Sequence, residues 1–477
     1  MPSDPSRLTS RLRELLHSTP APAGARDSAA PLGAVGPDVE QRRELTYEME
    51  GAASAPSGAA EQGCVVLERH YDLELAHGRE PVAQYGEALA RCLPALAVLA
   101  ADERAAAPRE ARPIRLEWGA GRGSADDRRR PGVPTDGPLL FFDLETTGLS
   151  GGAGTLAFLV GCGFFDADGF HTRQFFLSGY EAERELLDAL AALTERFNGL
   201  VTFNGRTFDV PLIETRYLFH RLESPFADMP HFDMLHPARK LWRRRSIAQP
   251  SHRERWSGGR PGDAASCALG ALEEAILGVQ RFDDVPGFEI PSRYFNYLRT
   301  GDVAPLAAVF EHNRLDLLSL AALTAIAARM AGEGPAGAPS PHEALAMGQI
   351  YVRLGRWDEA DACFVRAAGL GESPWDARSI DREIRAHALR HLALERRRRH
   401  RYEEAAEAWR QLLEAGAESA FTQEARCALA IHHEHRVRDL EEARRQAERA
   451  LASERDPVEA EALRHRLARL DRKLGRG

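Results

Sequence analysis

The sequence predicts an α/β domain with a mixed sheet flanked by helices, followed by an all-α domain of helical repeats. At 477 residues the chain has room for about three domains. Between residues 138 and 330, short apolar runs alternate with amphipathic stretches, which is typical of a sheet packed between helices. Residues 340–475 are helical in pattern throughout and contain three segments that are similar to one another.

Composition indicates a globular protein. Hydrophobic residues make up 44% and charged residues 28% of the chain, close to the averages for such proteins. The net charge of −9 argues against a uniformly basic surface, so any basic face must be local. The six cysteines form no CxxC pair, which argues against a zinc ribbon or a disulfide framework. The N-terminus lacks the apolar segment of a signal peptide, and we expect a cytoplasmic protein without a membrane segment.

Five segments follow from these patterns. Residues 1–62 are rich in Ala, Pro, Gly and Ser without helical or strand periodicity, which predicts disorder. Residues 63–118 contain a possible strand and a helix, but their role is not apparent from the sequence. A linker is expected at 119–137, where Gly, Pro and charged residues mix. The α/β domain then spans 138–332, and the helical repeats span 340–475.

The first candidate site residues are two acids at the end of an apolar run, LLFFDLE. Asp143 and Glu145 are two residues apart, so on a strand their side chains point to the same face. Two carboxylates placed together repel each other unless a cation neutralises them. A hard divalent ion such as Mg²⁺ or Mn²⁺ prefers such oxygen ligands. Acids at strand ends are nevertheless common, and the pair alone is weak support.

Two later segments add acids, each with a simpler alternative explanation. In LVTFNGRTFDVPLIETR a strand ends near Asn204, and Asp209 begins the next helix, where an acid is also favourable as a helix cap. In EHNRLDLLSLAAL, His312 and Asp316 are four residues apart on one helix face. That spacing alone is also typical of an ordinary surface pair.

Together these motifs make the chain resemble the ribonuclease-H-like exonucleases of the DnaQ or DEDD type. Within that group it is most similar to the YprB-like family, in which such a domain is often followed by tetratricopeptide repeats. The similarity covers residues 138–330 well and the helical tail loosely. It implies a five-stranded sheet that carries the active site of a nuclease acting on DNA or RNA.

The resemblance also implies roles for individual residues. Asp143, Glu145, Asp209 and Asp316 are expected to hold two Mg²⁺ or Mn²⁺ ions for phosphodiester hydrolysis, with a 3′-to-5′ exonuclease activity. His312 is expected to orient or deprotonate the attacking water. In the histidine subclass, however, the His usually precedes the last Asp by five residues, whereas here the spacing is four. Because one helical residue rotates a side chain by about 100°, how His312 reaches the water is left open.

Substrate contacts are expected from two regions. Thr146, Thr147 and Asn204 lie beside the acids and are expected to contact the terminal nucleotide. A basic stretch at 238–260 includes Arg243, Arg244 and Arg245 and two tryptophans, Trp242 and Trp256, which offer stacking surfaces for unpaired bases. The alternative is a solvated helix face with Trp242 in the core.

The three similar helical segments align Trp357, Tyr402 and Leu440, each followed by an acidic pair and Ala360, Ala405 or Ala443. They resemble degenerate tetratricopeptide-type hairpins, and an ordinary helical bundle is the alternative. Such repeats commonly recruit protein partners. The competing function is therefore a catalytically silent scaffold that binds nucleic acid and recruits a protein through the repeats.

Overall fold

The computed structural model describes residues 63–100, 132–148, 154–248, 267–281, 284–415 and 421–476. Within 154–248, the side chains are described only as far as residue 243. The predicted disorder at 1–62 lies outside the described residues, as do 101–118 and the linker over 119–131. The chain divides into two compact units, the first ending at Gly332 and the second beginning at Glu333.

The first unit is built on a mixed sheet that has six strands within the described residues. In chain order, and including a separate hairpin formed by the second and third, the strands are β1 (Cys64–Asp72), β2 (Ala76–His77), β3 (Glu80–Pro81), β4 (Leu139–Thr146), β5 (Ala157–Phe165), β6 (Gly169–Leu177), β7 (Gly199–Thr202) and β8 (His231–Asp233). In space the six strands of the sheet lie in the order β1-β6-β5-β4-β7-β8. β1, β6, β5 and β4 pair antiparallel with their neighbours in that order, whereas β7 and β8 run parallel to β4.

The predicted fold class is confirmed, with six strands in place of the five that the resemblance implied. The added strand is β1, from the region whose role the sequence did not reveal. It pairs with β6 along its whole length, from Cys64 opposite Leu177 to Asp72 opposite Gly169. Without β1, the edge of β6 would present unpaired backbone groups to solvent.

Helices flank the sheet, and the buried apolar residues of the core lie between the sheet and these helices. Phe158 of β5, for example, stacks on Tyr294 with ring centroids 4.1 Å apart. The α-helices of this unit are α1 (Val82–Cys92), α2 (Glu183–Thr194), α3 (Asp209–Phe219), α4 (Leu235–Ala248), α5 (Leu269–Leu272), α6 (Ile290–Thr300) and α7 (Ala307–Gly332). A π-helical turn, Glu273–Leu277, continues α5.

Helix α7 packs against β4, β5 and β6 and also against α1. Its apolar residues are almost all buried, which explains why its hydrophobicity shows little periodicity. The segment Ala304–Gly332 has the length and composition of a membrane-crossing helix, and most of it is buried inside the protein, as expected for a core helix. The helix therefore carries its polar residues, including His312 and Asp316, into the packed interface with the sheet.

The second unit is helical within the described residues, and helices adjacent in sequence pack against one another. Its α-helices are α8 (Pro341–Arg353), α9 (Trp357–Ala367), α10 (Arg382–Arg398), α11 (Tyr402–Glu414), α12 (Thr422–His432), α13 (Leu440–Ser453) and α14 (Pro457–Lys473).

The three aligned segments of the sequence form three helical hairpins with equivalent turns. Trp357, Tyr402 and Leu440 each begin the second helix of a pair. Two residues before each of them, the backbone adopts a positive φ, of 70° at Gly355, 61° at His400 and 63° at Arg438. The aligned alanines, Ala360, Ala405 and Ala443, are buried.

Candidate active site

The first two acids lie on the central strand of the sheet. Asp143 and Glu145 of β4 point to one face, opposite Gly161 and Leu159 of β5. The preceding residues 139–142 are buried, whereas both acids are partly exposed at the carboxyl end of the strand. A β-bulge follows between Glu145 and Thr146, where the pairing with β5 becomes irregular. Both carboxylates therefore lie at the carboxyl end of this central strand, where neighbouring residues cover them in large part.

Asp209 reaches the same edge because β7 runs parallel to β4, with Leu139 opposite Gly199. The turn after β7 places Asn204 at a φ of 66°, and Asp209 begins α3. A Cβ at Gly205 would lie 2.8 Å from Oδ2 of Asp209 and 2.6 Å from Cβ of Thr202. Only glycine fits there without a shift, because the turn passes so close to the carboxylate.

Helix α7 supplies the remaining predicted residues. Nε2 of His312 lies 3.6 Å from Oδ2 of Asp316 and 3.9 Å from Oε1 of Glu145. These side chains are 12–17% exposed, so the group is largely shielded from water. The structure thus brings together acids from three distant segments of the chain, with His312 among them.

The acids influence one another strongly. Burial raises the pKa of Asp143 well above its usual value, and the charges of Asp316 and Asp209 raise it further. The pKa of Glu145 is raised in the same way, first by burial and then by the charges of Asp143, Asp316 and Asp209. Burial and the charge of Asp233 raise the pKa of Asp209 to about 7. Burial and the neighbouring charges therefore both make it costly for these carboxyl groups to be charged together in the absence of a cation.

His312 is also perturbed. Burial lowers its pKa, but the neighbouring Asp316 and Asp284 outweigh that effect, so the pKa is raised overall. The protonated imidazole is favoured as long as these carboxylates keep their charge.

Asn313, which the sequence did not single out, binds the first acid directly. Its Nδ2 donates to Oδ2 of Asp143 at 2.8 Å, and its Oδ1 accepts from Nε2 of Gln174 at 2.8 Å. Asn313 is wholly buried, and Gln174 also donates to the carbonyl of Phe310. The helical period could have indicated this residue, since Asn313 lies three residues before Asp316 and so on nearly the same helix face.

Arg281 and Asp284, from the loop after the π-helical turn, are the other residues that the sequence did not reveal. Nη2 of Arg281 lies 2.5 Å from Oδ1 of Asp316 and also bonds the buried Glu273. Oδ1 of Asp284 lies 2.6 Å from Nδ1 of His312. The loop has no periodicity or motif from which these contacts could be predicted.

The predicted substrate residues are placed as follows. Thr146 donates its hydroxyl to the carbonyl of Gly148, and the hydroxyl of Thr147 accepts from the amide of Leu156, so both stabilise the loop beside the acids. The side-chain oxygen of Asn204 accepts from the hydroxyl of Thr207. Arg243 is exposed on α4. The side chains of Arg244 and Arg245 lie outside the described residues, as does the basic stretch at 249–260 with Trp256.

Trp242 is wholly buried, so the interpretation of it as a stacking surface for bases is wrong. The helix α4 turns this side chain into the core, where its apolar area is removed from water.

Asp233 organises the backbone. Its carboxylate accepts from the amides of Asn204 at 2.7 Å, Arg206 at 3.0 Å and Leu235 at 3.1 Å. It therefore fixes the turn that presents Asp209.

The donor set fits a hard divalent cation in its chemistry, since it consists of carboxylate oxygens. Burial first, and then the charges of the neighbouring acids, raise the pKa values of Asp143 and Glu145. Among the described residues, no group of three or more His, Cys, Asp or Glu side chains is already spaced as metal ligands. Asp316 is instead paired with Arg281.

Comparison with known proteins agrees with this geometry. Residues 140–328 match the model of the RNase H superfamily. The uncharacterised protein YprB of Bacillus subtilis (strain 168) is 31% identical over 340 residues, which cover 70% of this chain and 75% of that protein. The chain belongs to the YprB family of RNase H-like proteins. The similarity to YprB is longer than the superfamily match, so it extends beyond the nuclease-like residues. Membership in the RNase H superfamily supports a nuclease-type function and binding of nucleic acid.

Proposed function

We propose that this YprB-family protein is a divalent-metal-dependent nuclease that hydrolyses phosphodiester bonds of DNA or RNA as a 3′-to-5′ exonuclease. The observation that carries the proposal is the group of acids at one sheet edge. Burial raises the pKa values of Asp143, Glu145 and Asp209, and the charges of neighbouring acids raise them further, a cost that a purely structural site has no reason to retain.

Asp143, Glu145, Asp209 and Asp316 would hold two Mg²⁺ or Mn²⁺ ions. When bound, such ions supply positive charge and Lewis acidity at the scissile phosphate. The contribution of the chain is to hold the carboxylates in place, through Asn313 for Asp143 and through the turn at Gly205 for Asp209.

His312 is proposed as the general base. Its Nε2 faces Glu145 and Asp316, where a water attacking the phosphate would lie. Asp316, one of the two carboxylates that raise the pKa of His312, is also a proposed ligand whose charge bound cations would offset, so the imidazole would lose its proton more readily in the loaded site. Thr146, Thr147 and Asn204 would contact the terminal nucleotide, and Arg243, Arg244 and Arg245 would contact phosphates.

The second candidate function is a silent scaffold that binds nucleic acid and recruits a protein partner through tetratricopeptide-like repeats. Two observations favour it. Among the described residues, no three His, Cys, Asp or Glu side chains are already spaced as metal ligands. The helical unit also has three hairpins with equivalent turns. The scaffold function leaves the clustered acids without a purpose, and for that reason we place it second.

The test is cleavage of 5′-end-labelled single- and double-stranded DNA and RNA with Mn²⁺ or Mg²⁺. We expect a ladder of shortened products from the wild type and none from Asp316→Asn. Asp188→Asn, which changes an exposed acid outside the site, is the control and should cleave like the wild type. A labelled mononucleotide as the first product would indicate the opposite polarity. A ladder retained by Asp316→Asn would refute the assignment.

A further inference from the structure

The short contact between His312 and Asp284 joins two segments of the chain. Nδ1 of His312 lies 2.6 Å from Oδ1 of Asp284, and the two side chains are 13% and 11% exposed. The contact is well inside hydrogen-bonding distance and largely shielded from water.

The surrounding groups determine the direction of this hydrogen bond. Nη1 of Arg281 lies 3.5 Å from Nδ1 of His312, at the limit of hydrogen bonding, and as a donor it would need an unprotonated Nδ1. The oxygen of Asp284 is much closer, at 2.6 Å, and needs a proton on Nδ1. The carboxylate of Asp284 accepts. The proton therefore lies on Nδ1, which leaves the Nε2 side facing Glu145 and Asp316.

Asp284 is itself held in place. Its Oδ2 lies 3.7 Å from Nη1 of Arg281, and Nη2 of the same guanidinium pairs with both the buried Glu273 and Asp316. Arg281 is 8% exposed. One oxygen of Asp284 is thus directed to the arginine and the other to the imidazole.

We propose that Asp284 is a positioning residue that fixes the tautomer and the orientation of His312, so that Nε2 is presented to the attacking water. The inference rests on the proposed function, in which His312 is the base. The contact with Asp284 also explains how a histidine four residues before Asp316 reaches the site. A contact from outside the helix sets the direction of the ring, in addition to the rotation of α7.

The isosteric variant Asp284→Asn is the sharpest perturbation. Arg281 will bind the amide oxygen, because the arginine is a donor, and the amide nitrogen will then donate to Nδ1 of His312. The proton moves to Nε2, which can no longer accept one from water. We expect kcat to fall by about 10–100-fold or more, with KM within about twofold, because the change affects proton transfer and leaves substrate contacts intact.

The tautomer is read directly by ¹⁵N NMR of the full-length, histidine-labelled protein without metal, at a pH at which the ring is neutral. The signal of His312 is assigned by its loss in His312→Gln. We expect the Nδ1–H form in the wild type and in the control Asp188→Asn, and the Nε2–H form in Asp284→Asn. Asp284→Ala, which removes the acceptor altogether, should give a mixture of both forms.

The two measurements separate this inference from the proposed function. An identical tautomer in the wild type, Asp284→Asn and Asp284→Ala would overturn the positioning role even if cleavage is observed. Loss of activity through KM alone would also overturn it. A tautomer change in a protein whose wild type cleaves nothing would support the positioning role and refute the nuclease assignment.

Discussion

Gly161 faces the side chain that holds the first acid, and its replacement by alanine tests that contact. An added Cβ would lie 2.2 Å from Oδ1 and 2.7 Å from Nδ2 of Asn313, far inside van der Waals distance. Asn313 is wholly buried, so its amide cannot move aside without losing its bonds to Asp143 and Gln174.

The size of the effect follows from those two hydrogen bonds. The bond to a carboxylate is worth about 1.5–3 kcal/mol and the neutral one about 1 kcal/mol. Replacing glycine in a strand returns only about 0.5–1 kcal/mol of chain entropy. We therefore expect Gly161→Ala to lower the free energy of unfolding of the first unit by about 2–3 kcal/mol.

Urea unfolding followed by circular dichroism measures this change, and hydrogen exchange of Ala157–Phe165 assigns it to the sheet. Gly270→Ala is the matched control, because a Cβ at Gly270 meets nothing within 4 Å. It should leave the stability unchanged or slightly raised. A Gly161→Ala protein within about 0.5 kcal/mol of the wild type would refute the reasoning, since that is the range of substitutions that disturb nothing.

Three further predictions concern charge. The pKa of Asp209 is raised to about 7, so the metal-free folded protein binds a proton that the unfolded chain releases near pH 4. The free energy of unfolding therefore falls as pH rises from about 4 to 7. Asp209→Asn should raise it by up to about 4 kcal/mol at pH 8, measured by urea unfolding with EDTA. No gain at pH 8 would contradict the raised pKa. Arg281→Gln removes the cation paired with Asp316 and should therefore tighten Mn²⁺ binding, measured by calorimetry, about tenfold. The control Arg281→Lys keeps the charge and should bind Mn²⁺ nearly as the wild type does. Weaker binding by Arg281→Gln would exclude competition between Arg281 and the ion. Arg216→Met removes one of the two described ion-pair partners of Glu183, which is 5% exposed, and leaves His220 as the other. It should lower the free energy of unfolding in urea by about 3 kcal/mol. A loss under about 1 kcal/mol would mean that the pair of Arg216 and Glu183 contributes little.

The residues that the sequence could indicate are those whose placement depends on one element. Asp143 and Glu145 share a face because strands repeat every two residues, and His312 and Asp316 share a face because helices repeat every 3.6. The start of α3 at Asp209 follows from the strand and glycine turn before it. These local rules predict which side chains share a face and support the fold class, whereas the grouping of the four acids into one site is predicted from the resemblance to the DnaQ-type exonucleases.

The other parts of the site depend on contacts between distant segments. β1 joins the sheet by pairing with β6, about a hundred residues later, and no local pattern states which strand is its partner. Arg281 and Asp284 act from an irregular loop, so their contacts with Asp316 and His312 arise only when the loop packs on α7. The buried position of Trp242 likewise depends on the orientation of α4, which a basic, weakly amphipathic sequence does not specify.

Calorimetric titration of Mn²⁺ into the metal-free, full-length protein is the most direct test of the claim that these carboxylates form a cation-binding catalytic centre. We predict saturable heat in the wild type and in Asp188→Asn, and its loss in Asp143→Asn. If the folded wild type gives no heat, or if Asp143→Asn binds Mn²⁺ as the wild type does, the acids at this sheet edge do not form the centre proposed.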